Sequence, residues 1–107
     1  QQLYTPARLL HDRQGIVRIP VARESFPLLR GGTVDAQPLV AWRARDRYLT
    51  AVKLTNQTRE PQTLDPRDLR GRWLTATFQH HRLLPAGSEA DTTAVYLISN
   101  RPFEASR

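Results

Sequence analysis

Hydrophobic and polar residues alternate in short runs along this chain, separated by turn-forming residues. The cleanest alternation is Trp73 to His80, with Leu74, Ala76 and Phe78 on one side and Trp73, Thr75, Thr77 and Gln79 on the other. A period of two is the signature of a half-buried strand. Tyr48 to Thr55 predicts another strand, with Val52 and Leu54 directed to a core, and Gln62-Thr63-Leu64 a short one. Thr33 to Arg45 predicts a long strand, bent or bulged near Pro38; Val34, Ala36, Pro38, Val40 and Trp42 share a face if its register is unbroken. Ile16 to Val21 has strand composition, and Pro20, which lacks a ladder donor, suits an edge or a strand end. Thr92 to Ser99 is apolar on both sides at Val95, Tyr96, Leu97 and Ile98, as expected of a strand at the centre of a sheet.

The connecting residues complete this picture. Asp46 starts a tight turn between two strands, so Arg43, Arg45 and Arg47 gather at a hairpin tip. Residues 22–32 form a loop broken by Phe26-Pro27 and Gly31-Gly32, in which Leu28-Leu29 either plug the end of the core or form a patch that a partner covers. Asp65-Pro66-Arg67-Asp68 reads as a helix start, with Asp65 as the cap and Pro66 at the first helical position. Gly71 ends that turn. Leu3, Ala7 and Leu10 match helical spacing, but the run is short and holds Pro6, so residues 1–15 read as an arm or linker. Residues 16–103 form the domain, and the tail after Phe103 frays. The fold class is all-β: an antiparallel, Ig-like β-sandwich of about six or seven strands, with a helical turn near residues 66–70 and an N-terminal helix or arm.

Composition narrows the function. The 107 residues suit one domain, which buries roughly two-thirds of its unfolded surface. The chain starts at Gln1-Gln2 and has no Met, which predicts a piece of a longer protein whose targeting signals lie elsewhere. Without cysteine there is no disulfide, thiolate nucleophile or Cys-based zinc site. No apolar run approaches the roughly 18 residues of a membrane helix. The net charge is +6, and 15 of the 16 cations are Arg. Such an excess suits a polyanion, but these cations spread along the whole chain, as on an ordinary solvated surface.

No group of residues converges on a chemistry. His80 and His81 are adjacent at a strand end, so they point to opposite faces and do not share a metal ion. Ser25, Ser88, Ser99 and Ser106 lack the Gly-x-Ser-x-Gly elbow of a nucleophile. Gly31-Gly32 has no phosphate-cradling context. Asp65 with Asp68 is better explained by capping than as an acid pair. Trp42, Tyr48 and Trp73 could stack bases, although aromatics in strands more often form cross-strand or core pairs. Asn56-Gln57-Thr58 fits a glycosylation acceptor, a pattern too common to carry weight. No catalytic residue, cofactor or metal ligand is predicted, and the chain reads as a non-enzyme.

The run Leu64-Asp65-Pro66-Arg67-Asp68-Leu69-Arg70-Gly71-Arg72-Trp73, followed by Glu89-Ala90-Asp91-Thr92-Thr93, resembles the C-terminal region of a TraK-like (VirB9-type) protein family of integrating conjugative elements. The likeness extends from about Ile16 to Phe103. It implies a periplasmic structural subunit in the outer-membrane core complex of a conjugative type IV secretion system. It also implies a ring of copies that contacts a VirB10-type (TraB-like) channel subunit and a small outer-membrane lipoprotein, with the C-terminal β-sandwich binding the lipoprotein. On this reading the partner-binding candidates are Phe26, Leu28 and Leu29 in the loop and Arg43, Arg45 and Arg47 at the hairpin tip, with strand addition at an edge marked by Pro20 or Pro38. The alternative is a nucleic-acid-binding module that uses the Arg-rich surface.

Overall fold

The structure is a computed structural model and describes residues 15–107. Seven strands appear among these residues: β1 Ile16–Ile19, β2 Val34–Ala44, β3 Arg47–Asn56, β4 Gln62–Thr63, β5 Thr75–Phe78, β6 Arg82–Leu83 and β7 Thr92–Ser99. Five form an antiparallel sheet in the order β1-β2-β3-β7-β5, and β4 pairs with β6 in a small second sheet. The all-β expectation holds, and the arrangement agrees with a β-sandwich. The second layer is smaller than expected: two short strands and the loops around them close most of the core. The expected N-terminal helix or arm lies outside the described residues.

β2 and β3 form the central hairpin, closed by Arg45 and Asp46. Arg45 has a left-handed backbone, φ 59°. The pairing Ala36↔Leu54 and Pro38↔Val52 passes to Val40↔Ala51 and Trp42↔Leu49, leaving Leu39 as the extra residue of a bulge. That bulge corrects the expected face of β2. Val34 and Ala36 belong to the first core with Val52 and Leu54, whereas Val40 and Trp42 pack on the opposite side with Leu49, Ala51, Tyr96 and Ile98. The extra residue resets the alternation, so the face changes between Pro38 and Val40.

β7 lies between β3 and β5 and buries residues on both of its faces, as its composition predicts. The first core lies between the large sheet and its cover, where Leu28, Leu29, Leu64, Leu83 and Phe103 meet Val95 and Leu97. β1 is an edge strand and stops at Pro20, as expected.

Two further differences follow from the turn at Gly71, which has φ +104°. A side chain there would lie 2.7 Å from the Ser106 carbonyl oxygen and 2.9 Å from the Trp73 ring. The chain bends here before joining β5, so Trp73 turns into the first core and Leu74 is left 47% exposed, the reverse of what alternation predicts. The tail does not fray at Phe103. Phe103–Ser106 is a helical turn, with Phe103 and Ser106 buried and the Arg72 N–H donating to the Ser106 carbonyl at 2.6 Å. Phe103 lies flat against Trp73, centroids 5.8 Å apart, and edge-on to Phe26 at 5.0 Å.

Candidate functional site

The loop candidates divide. Leu28 and Leu29 are buried in the first core and plug its end, so neither side chain is at the surface. They are pinned by short antiparallel contacts: the Arg30 N–H donates to the Asp68 carbonyl, the Arg70 N–H to the Leu28 carbonyl, and Leu29 bridges Leu69. Phe26 is half-buried and borders an open hollow of about 570 Å³ with Ala22, Ser25, Pro27, Arg70 and Arg107. The Arg107 guanidinium sits 5.3 Å from the centre of the Phe26 ring and 5.6 Å from that of Phe103, a cation-π arrangement.

Arg43, Arg45 and Arg47 are exposed at the hairpin tip, as the sequence predicts. Arg43 pairs with Tyr48 across the hairpin and with Val17 on β1, and Arg47 pairs with Ala44. Arg43 and Arg47 therefore lie on opposite faces of the sheet, because residues an even number apart on the two strands of a closed hairpin alternate with the pleat. The three cations surround the tip instead of forming one flat patch.

Several polar residues that could serve chemistry are engaged in structure. The Asp65 Oδ1 accepts from the Arg67 N–H at 2.9 Å and caps the 3-10 turn Pro66–Asp68. Its Oδ2 pairs with the Arg67 guanidinium at 2.9 Å. The hydrogen bond from that guanidinium, then the one from the backbone N–H, holds the Asp65 carboxyl below the usual carboxylate range. Asp91 is lowered too, first by the Gly87 N–H and next by the Thr92 hydroxyl. Ser88 donates to the Pro85 carbonyl, and Ser99 and Ser106 to that of Arg101. Ser25 donates to Asp35 at 3.2 Å. His80 and His81 are exposed; the His81 ring is 6.0 Å from that of Phe78. Among the described residues no three His, Asp or Glu side chains are grouped so as to hold a metal ion. Trp42 packs on one face of the sheet and Trp73 on the other, so the two do not make one stacking platform.

Asn56 is the residue whose importance the sequence understates. It is buried, and its amide nitrogen donates to the Glu60 carbonyl at 2.7 Å and the Leu84 carbonyl at 3.0 Å. Its amide oxygen accepts from the Thr58 N–H and hydroxyl, both at 2.8 Å. The nitrogen that would carry a glycan is thus committed inside the fold. The signal was the Asn-x-Thr spacing itself, which here builds an Asx turn.

What remains open is the sheet margin. β1 has no neighbour on its outer side among the described residues, and Val17 on it is 51% exposed. β1 reaches only as far as Ala41 on β2, and the next contact along that side is the bridge from Phe26 to Ala36. Pro38 lies in this gap, where a missing N–H is tolerated. A hollow of about 380 Å³ opens there, lined by Ile19, Pro20, Val21, Leu39 and Val40 together with Arg18 and Arg23. The arrangement can bind an extended chain through backbone hydrogen bonds and side-chain burial.

No helix of the described residues is long and apolar enough to cross a membrane. No curated protein matches the chain. A family model described as "Protein of unknown function (DUF3438)" matches residues 1–106, nearly the whole sequence, and the chain belongs to that family.

Proposed function

We propose that this chain is a non-enzymatic assembly domain of the outer-membrane core complex of a conjugative type IV secretion system. It works in the periplasm, in a ring of copies, and binds a TraB-like channel subunit and a small outer-membrane lipoprotein. The observation that carries this reading is the outer edge of β1, which has no neighbour among the described residues, beside an apolar hollow. An exposed edge is a ready template for a further strand, with main-chain hydrogen bonds for affinity and alternate side chains for specificity. Two things support it. The TraK-like resemblance runs through Leu64 to Trp73 and Glu89 to Thr93, which the structure uses for a capped turn and the start of β7. The side chains of Asp65, Ser88 and Ser99 are engaged in caps and turns.

The test is co-purification of the parent protein with the lipoprotein and the channel subunit encoded by the same element. Stoichiometric capture of either one, in an assembly larger than a monomer, is expected. A monomer that captures neither overturns the reading. A DNA mobility shift at low salt that fades steeply as salt rises would favour the nucleic-acid alternative instead.

A further inference from the structure

We infer that the hollow at the end of β1 receives an extended acidic segment of a partner protein, which adds as a strand to the outer edge of β1. This deepens the assembly reading and rests on it. In an antiparallel pair, alternate residues turn their N–H and C=O groups away from the neighbouring strand. Two of the four residues of β1 therefore turn their N–H and C=O outward, and the strand gives way to Pro20, which has no N–H.

Beyond Pro20 the surface changes from backbone to side chains. β2 carries its extra residue Leu39 at this point, and Ile19, Val21, Leu39 and Val40 line the hollow. Its volume of about 380 Å³ falls in the lower part of the roughly 300–1,000 Å³ range of ligand pockets. That suits side chains of a peptide better than a large cofactor. The arriving strand hydrogen-bonds to β1 and continues into the hollow with an apolar side chain.

The charge on the segment follows from the rim. Arg18 and Arg23 are exposed and line the hollow, and among the described residues neither has a carboxylate within ion-pair distance. A basic segment would meet them and the +6 net charge of the chain; an acidic one gains charge-assisted hydrogen bonds at the rim. A hollow beside β5, at the other edge, carries more polar groups: Arg72, Asn100, Arg101 and Ser106 line it together with Trp73, Leu74 and Ala105, and Ser106 is already bonded to the Arg101 carbonyl.

The probe is a fluorescein-labelled eight-residue peptide alternating valine and glutamate, followed by anisotropy. Saturable binding is expected, weakened about ten-fold or more by Arg18→Glu with Arg23→Glu, or by lysine in place of glutamate in the probe. Methylating the peptide nitrogens on one side of the strand should weaken binding about ten-fold, and on the other side leave it nearly unchanged, because only one side faces β1. Amide chemical shifts should move at Ile16–Ile19 and at Leu39 and Val40. Absence of saturable binding overturns the inference. So does binding lost in Arg43→Glu with Arg47→Glu but kept in Arg18→Glu with Arg23→Glu, which would make it attraction to the hairpin tip. If the Arg18 and Arg23 variant still captures the lipoprotein and channel subunit at full strength, this inference fails and the assembly reading stands. If the peptide binds as described but neither subunit is captured, the assembly reading fails and the acidic-strand site stands.

Discussion

Thr50 shows how a single atom can act against the fold that holds it. Its side chain is fully buried on the side of β3 that carries Val52 and Leu54, and its hydroxyl has no hydrogen-bond partner among the described residues. A buried polar group without a partner costs about 1–3 kcal/mol. Thr50→Val keeps the shape and removes the hydroxyl. It should raise stability by about 1 kcal/mol, measured as a higher urea midpoint with an unchanged slope; a lower midpoint would mean that the hydroxyl is satisfied. Neither Thr50 nor Asn56 could be recognised from the sequence. Threonine is an ordinary strand residue, and Asn56 finds its partners on main-chain carbonyls up to 28 residues away. The cap at Asp65 was legible because all its parts are local: the acceptor, the fixed φ of Pro66 and the donating N–H lie within three residues.

At the scale of elements, the bulge in β2 makes a deletion prediction. Leu39 is the residue without a partner in the register, and its neighbours Pro38 and Val40 face adjacent residues of β3. Removing Leu39 leaves every other side chain of β2 on its present face, so ΔLeu39 should still unfold cooperatively. Removing Ala51 from β3, which has no spare residue, turns half of that strand over and should abolish the cooperative thermal transition. Similar behaviour of the two deletions would refute this. The sequence located the irregularity at Pro38 but not the change of face, since Leu39 and Val40 are both apolar and either could be the extra residue.

The capped turn and the loop before β7 set a second expectation at this scale. Asp65 and Asp91 both have lowered carboxyl pKa values, so the stability they contribute is present above the unfolded carboxylate pKa, near 4, and is lost as pH falls through the folded values. Asp65→Asn keeps an acceptor for the Arg67 N–H but does not titrate. Its stability should fall less steeply on acidification below about pH 4 than that of the unaltered chain; equal slopes would show that Asp65 is not a linked group.

For the molecule as a whole, the C-terminal turn closes the core. Phe103 joins Trp73, Phe26 and the Leu28–Leu29 segment in one cluster, so a residue near the end of the chain fastens parts far apart in sequence. Phe103→Ala should cost about 3–5 kcal/mol, seen in chemical denaturation, and should expose Trp73 to collisional quenchers of fluorescence. A loss below about 1 kcal/mol would show that the tail is not part of the core. Strand number and the buried character of β7 were legible at this scale, because both rest on alternation and composition. The burial of the tail and of Leu28–Leu29 was not. Neither segment has a periodic pattern, and each is buried by segments that the chain brings back from a distance.

The clasp around Asn56 has a consequence for how the molecule opens. Its amide holds the carbonyls of Glu60 and Leu84, while its backbone N–H donates to the Asp91 carbonyl and Ala86 donates to Thr58. Two loops, one before β4 and one before β7, are therefore locked by a single side chain. In hydrogen exchange, the amides of Asn56, Thr58 and Ala86 should not fray independently. They form one cooperative unit that opens in a single event, at the free energy needed to break the whole clasp.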